Sequence, residues 1–215
     1  MDTVGSILGP FVAFLILQHW PGAFYRVFLT SFLIGLVALA SLGFITEFTS
    51  RHSRGQSGSL ASFRILPRQF RTYVALIFLL SVGTVPVVVL LLKTQPLGLA
   101  IADVPLFYML YSVSYAALSL PVGQLSDRIG AKRVLVIGYT VLIASYLIIG
   151  LAGTSVSLAI GFLVLGCFPA LTDGIQRSYA AKITESSVRG QALGWLNAAV
   201  GFGGFIAGAG GGYLW

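Results

Sequence analysis

The sequence predicts an all-α membrane protein, a bundle of seven transmembrane helices, on three observations. Only 9% of the 215 residues are charged and 57% are hydrophobic, with a mean hydropathy of +0.93. A water-soluble domain carries about 25% charged residues, so this chain cannot coat an aqueous surface of its size. Seven apolar runs follow one another, each near the roughly 20 residues that cross a bilayer. Lys and Arg gather on alternate connections between those runs, the pattern that membrane orientation produces.

The runs lie near 3–18, 27–46, 72–92, 104–123, 134–151, 156–176 and 191–214. The first is the shortest and begins almost at Met1, as if its natural start lay upstream. Met1-Asp2 lacks the basic start of a secretory signal and no small-residue cleavage site follows, so the run is expected to persist as a helix. The second and fifth runs are apolar nearly all round, as suits helices facing lipid over much of their circumference. Between the second and third, 47–71 is a Ser- and Gly-rich linker with five arginines. Within it, 59–68 reads either as a segment on the membrane surface, arginines toward lipid phosphates, or as a solvated linker.

Proline marks two of the spans. Pro86 in the third frees the carbonyl of Val82, and Pro169 in the sixth frees that of Leu165. Ser81 and Thr84 stand beside Pro86, placed to satisfy the freed backbone or to touch a solute. In the fourth run, Tyr108, Tyr111, Ser112, Tyr115 and Ser119 fall on one stripe of a helix. Polar groups in lipid turn toward protein or a water-filled cavity, so the stripe is a candidate solute path or a seam between helices. Asn197 of the seventh run is a weaker candidate for the same path.

Asp173 is a carboxylate near the end of the sixth run, with Arg177 one turn on. The pair reads as a structural ion pair or as a proton- or solute-coupling site. Cys167, alone of its kind, reads as a small buried hydrophobe. Gly204, Gly208 and Gly212 repeat every four residues in the seventh run, a spacing that lets helices pack closely.

Orientation follows from the basic residues. Arg51, Arg54, Arg64, Arg68, Arg71, Arg128, Lys132, Arg133, Arg177, Lys182 and Arg189 all lie on one set of alternate connections. Only Arg26 and Lys93 lie on the other. This places the N-terminus and the basic loops in the cytoplasm and Trp215 on the far side. Because the basic residues are dispersed, the net charge of +7 is no nucleic-acid footprint, and no nucleic acid is expected as a partner.

The connection between the fourth and fifth runs reads Gly123-Gln124-Leu125-Ser126-Asp127-Arg128-Ile129-Gly130-Ala131-Lys132-Arg133. Gly123 and Gly130 permit close helix approach and a tight reversal. Asp127 is suited to backbone N–H groups at a helix start, and Arg128, Lys132 and Arg133 can pair with it. The spacing G-x-L-x-D-R-x-G-x-K-R resembles the loop signature of the major facilitator superfamily. Ala131 departs from that signature, which usually carries a basic residue there. Arg189-Gly190-Gln191-Ala192-Leu193-Gly194 is similar to the family's entry to its eleventh helix. Gly5-x-x-x-Gly9-Pro10 is similar to the centre of the fifth-helix motif of its exporters, with Ala13-Phe14 where a glycine pair is expected.

Taken along the chain, the resemblance covers helices five to eleven of a twelve-helix transporter. It implies a partial major-facilitator fold in a cell inner or plasma membrane. Residues 1–46 would close the N-terminal half, 47–71 would link the halves, and 72–215 would open the C-terminal half. Helices before residue 1 and after residue 215 would complete it. The implied function is secondary transport of a small solute by alternating access, in the efflux direction and coupled to H+.

The alternatives are a membrane-embedded enzyme and a seven-helix membrane receptor or retinal protein, the latter suggested by helix number alone. The histidines are His19 and His52, both in connections, and one cysteine lies within a span, so metal clusters and nucleophile–histidine pairs are hard to assemble and no cofactor is implied. No G-x-x-x-x-G-K-[ST] is present. A retinal protein needs a lysine within a helix, and residues 191–215 have none.

Overall fold

The computed structural model describes residues 2–42, 63 and 66–214, which form helices and their connections without a strand. Lipid offers backbone groups no partner, and a helix satisfies them within one segment. The elements are α1 (Asp2–His19), α2 (Phe24–Leu42), α3 (Arg68–Val82), α4 (Val87–Leu91), α5 (Val104–Ile129), α6 (Ala131–Gly150), α7 (Ser155–Lys182) and α8 (Arg189–Leu214). Among the described residues each of the seven apolar runs is helical over most of its length, the second as far as Leu42. Six spans among the described residues are long and apolar enough to cross a membrane, and α1 is a shorter apolar helix.

Three spans differ from expectation, the sixth because α7 runs on to Lys182, so that Arg177 and Lys182 are helical rather than in a connection. The third is not one helix: α3 stops at Val82, Gly83–Pro86 is non-helical, and α4 with a short 3₁₀ turn completes the crossing. The fourth runs on to Ile129, so Asp127 and Arg128 are helical rather than in a loop. Hydropathy falls after Gly123, but Gln124, Leu125 and Arg128 are good helix formers, and the chain turns only at Gly130. Arg51, His52, Arg54, Arg64 and Trp215 lie outside the described residues, as does most of 59–68. From that stretch, Leu66 is buried against Phe70, Ala192 and Leu196, and the Phe63 ring meets that of Trp195 at 5.2 Å.

α7 is the axis of the bundle. Its first turn is fixed by a capping box, the Thr154 hydroxyl accepting from the Ser157 N–H at 3.2 Å. From there it packs along both α5 and α6, while α8 packs along α3 and α1 along α5. Apolar cores form at three levels, and α7 reaches all of them. Leu158, Phe162 and Leu165 join Phe107 and Ile149, Leu171 and Ile175 join Val122 and Val134, and Ala180 joins Phe70 and Leu196.

Glycine sets how closely these helices approach. A Cβ at Gly166 of α7 would overlap the Tyr111 carbonyl oxygen and stand 2.8 Å from the Ser114 Cβ. At Gly138 of α6 it would stand 2.8 Å from the Thr172 Cγ2, and at Gly161 of α7 2.5 Å from the Ile149 Cγ1. On α8 the packed face is Gly203, Ala207, Gly208 and Gly211, where a Cβ at Gly203 would stand 2.6 Å from the Ser81 Cβ. Gly204 and Gly212, placed at this seam by their four-residue repeat, would meet nothing. The seam follows Gly203, Ala207 and Gly211, the face turned to the third crossing, and takes only Gly208 from the repeat. Nor do Gly5 and Gly9 face a neighbour, and α1 stays helical through Pro10.

Gly166→Ala is therefore expected to lower stability by about 1–3 kcal/mol, the cost of overpacking against a backbone that cannot yield. Gly204→Ala is expected to be neutral or slightly stabilising, because alanine favours a helix. Unfolding midpoints of the purified variants in detergent check both.

Candidate functional site

α5 and α7 meet at Gly166, and nearer the end of the bundle that carries the basic connections one edge of their seam leaves a gap. Pro169 and Gly174 put little bulk on the α7 side of that gap. A cleft of about 360 Å³ results, lined by Tyr115, Ser119, Gly123, Ser126 and Asp127 of α5 and by Pro169, Gly174 and Ser178 among those of α7. The α5 residues recur at helical spacing on one face, so extending α5 beyond the apolar run is what brings Asp127 into line with Tyr115. The Ser119 hydroxyl donates to the Ala116 carbonyl at 3.0 Å. Its lone pairs and the Asp127 carboxylate give the cleft an acceptor-rich wall.

The tyrosine stripe divides along this seam. Tyr115 and Ser119 reach the cleft, and Tyr111 lies further from the basic end with its ring 5.7 Å from that of Tyr108. Ser112, expected beside them, is buried and lines no part of the cleft. A stripe some 100° wide is broader than the opening, so one edge of it is packed into protein. Asp173 is exposed next to Gly174, which lines the cleft. Arg177 lies one turn on, also exposed.

Within the Gly123–Arg133 loop signature, Gly130 makes the reversal. At φ 91° and ψ 142° it lies where L side chains are strained, and its N–H closes α5 on the Ser126 carbonyl at 3.0 Å. Gly123 makes no close approach: an added Cβ there would meet nothing, and the residue borders the cleft instead. Leu125, Asp127, Arg128, Lys132 and Arg133 are all exposed at the basic end. Among the described residues no ion pair joins Asp127 to the three cations.

Two further candidates sit apart. The Thr84 hydroxyl donates to the Leu80 carbonyl at 3.0 Å, serving the interrupted backbone of the third crossing. Asn197 is exposed on α8 and is not among the cleft residues. Cys167 is half-buried, its thiol donating to the Leu163 carbonyl at 3.4 Å.

Sequence reading missed a polar network inside the membrane. The Tyr73 hydroxyl of α3 donates to the Gln176 carbonyl at 3.2 Å, and Gln176 Nε2 donates to the Tyr139 hydroxyl of α6 at 3.2 Å. Three helices are pinned by one glutamine buried at the basic end of α7. Its signal was available: Gln176 follows Thr172 by four residues, a polar pair inside an apolar run.

Residues 72–215 match the family model of the Major Facilitator Superfamily. Along its whole length the chain is 29% identical, over 228 residues, to an uncharacterised MFS-type transporter of Methanocaldococcus jannaschii. It spans 55% of that protein. Over 114 residues, 46% of the chain, it is 34% identical to Multidrug resistance protein 2 of Bacillus subtilis, covering 27% of it. The chain thus spans about half the length of one relative and about a quarter of the other. No solved structure matches it significantly.

The motif's two glycines are expected to respond differently. Gly130→Ala forces a side chain into a glycine-only backbone region and should cost about 1–3 kcal/mol. Gly123→Ala should leave the unfolding midpoint unchanged. Thermal unfolding of the two variants measures the difference.

Proposed function

Since the chain belongs to the Major Facilitator Superfamily, we propose that it forms part of a secondary transporter that moves a small solute by alternating access. The observation that carries this reading is the α5–α7 cleft, where Asp127 of the loop signature, read here as part of the gate, stands in line with Tyr115 and Ser119. A solute moving between the two faces of such a bundle would meet the tyrosines, the serine hydroxyls and then Asp127 at the mouth. With the basic connections facing the cytoplasm, that mouth opens inward across the cell's inner or plasma membrane.

In this reading α1 and α2 end the first half, 47–71 joins the halves, and α3–α8 begin the second. Helices before residue 1 and after residue 215 complete the path. Two surfaces support that arrangement. α2 has no buried residue in its span. A largely apolar groove of about 740 Å³ runs between α3 and α6, past Leu76, Leu80, Val136 and Ile143. Both are faces that further helices would cover. The efflux direction rests on the name of the Bacillus subtilis relative and on Gly5, Gly9 and Pro10. Coupling to H+ rests on Asp173, a carboxylate within a span beside Arg177 and the tyrosines.

Everted membrane vesicles carrying the transporter, energised by a pH gradient and offered labelled small solutes, test this reading. One class of solute should accumulate, and accumulation should cease when the gradient is dissipated. Flux that follows ATP without a gradient, or no gradient-dependent flux of any solute, would overturn it. Asp173→Asn is expected to lower the flux at least tenfold and to flatten its pH dependence. Unchanged flux and unchanged pH dependence would remove Asp173 from coupling.

A further inference from the structure

The interruption of the third crossing leaves backbone groups that lipid cannot satisfy. Gly83 N–H reaches the Leu80 carbonyl at 3.1 Å and Thr84 N–H the Ser81 carbonyl at 3.0 Å. Pro86 has no N–H to place. Val85 N–H remains, turned away from its own helix. A side chain sixty-one positions along takes it: the Tyr146 hydroxyl of α6 accepts from Val85 N–H at 2.7 Å and lies 3.4 Å from the Val85 carbonyl oxygen.

A second tie holds the same segment at its other end. Lys93 Nζ donates to the carbonyl of Gly150, the last residue of α6, at 3.2 Å. Tyr146 and Gly150 are four residues apart and share one face of α6. The outer part of the crossing, Val87–Thr94, is therefore fastened to α6 above and below.

Core packing divides at the same place. Phe70, Tyr73 and Ile77 of α3 pack with Ala192 and Leu196 of α8, whereas Val87, Leu90 and Leu91 pack with the Phe107, Ile149 and Leu158 cluster. Against the break α8 presents bare backbone. A Cβ at Gly208 would stand 3.3 Å from the Pro86 ring, and one at Gly211 3.2 Å from the Val85 side chain.

We propose that Gly83–Pro86 is a hinge and that the Tyr146 hydroxyl is the latch holding the outer segment on α6. Released, Val87–Thr94 pivots at Gly83 and slides over the glycine face of α8, while α3 stays in its own core. That this motion opens the far side of a solute path rests on the transport reading. The latch itself rests on the contacts alone.

Hydrogen exchange of the protein in lipid nanodiscs, followed by mass spectrometry without solute, tests the latch. Tyr146→Phe keeps the ring and removes the hydroxyl. It should speed exchange across 83–92 roughly tenfold, the scale of one lost hydrogen bond, and leave α3 and the rest of α6 as in the wild type. In a Gly83→Ala, Pro86→Ala background Val85 N–H regains its helical acceptor, so Tyr146→Phe should then change exchange less than twofold. If Tyr146→Phe does not fold, Lys93→Met probes the other tie and should speed exchange at the Val87–Thr94 end. Unchanged exchange across 83–92, or a rise spread equally over α3 and α6, overturns the latch. A latch found in a protein that carries no flux would leave it standing and remove only the transport reading.

Discussion

The approach of α7 to α5 and α6 across glycine is the contact on which the rest depends. Lipid tails are as apolar as leucine, so helices in a bilayer gain little by hiding apolar surface from lipid. They associate through close packing and a few hydrogen bonds, and dispersion falls off within an ångström of contact. Gly166 lets α7 meet the α5 backbone, while Gly138 and Gly161 let it meet α6. Beyond that contact the two helices stay packed through Val122, Leu171 and Ile175, and at the edge of this seam Pro169 and Gly174 leave the space that Tyr115, Ser119 and Asp127 line. Cleft and core belong to one seam.

Much of this fold is legible in the sequence because lipid imposes simple rules. Span length, the near absence of charge and the alternating arginines identify the apolar helices and their common basic end. Gly130 is legible as the reversal, since its backbone conformation excludes other residues. Less legible is anything that depends on a partner helix. α8 carries small residues on several faces, and it is Phe78 and Ser81 of α3 that select Gly203 over Gly204. Pro86 announces a break, but its extent is set by Tyr146, which no local pattern connects to Val85. The end of α5 was misplaced for another reason: hydropathy reports where the membrane ends, not where the helix ends.

Polar groups within the bundle show how one helix can serve two purposes. On α7, Thr172 and Gln176 point into protein and Asp173 and Arg177 point out of it. Gln176 fastens α3, α6 and α7 through Tyr73 and Tyr139, while the Thr172 hydroxyl donates to the Phe168 carbonyl of its own helix. The exposed pair stands next to Gly174 and Ser178, which line the cleft. Anchoring one face by hydrogen bonds fixes the rotation of α7, and so fixes what its opposite face presents. α2 and the α3–α6 groove remain uncovered, as suits a chain that spans only part of its relatives.

Central to this account is that the α5 face carrying Tyr115 and Ser119 meets water, whereas its opposite face meets lipid. Single cysteines introduced in a Cys167→Ala background, treated in native membranes with a charged thiol reagent, report this directly. Position 115 and position 119 should react from the side of the basic loops. Position 120 should stay unreactive, although Leu120 is 81% exposed, because lipid rather than water covers it. Equal reactivity at all three positions, or labelling at 120 alone, would contradict the account.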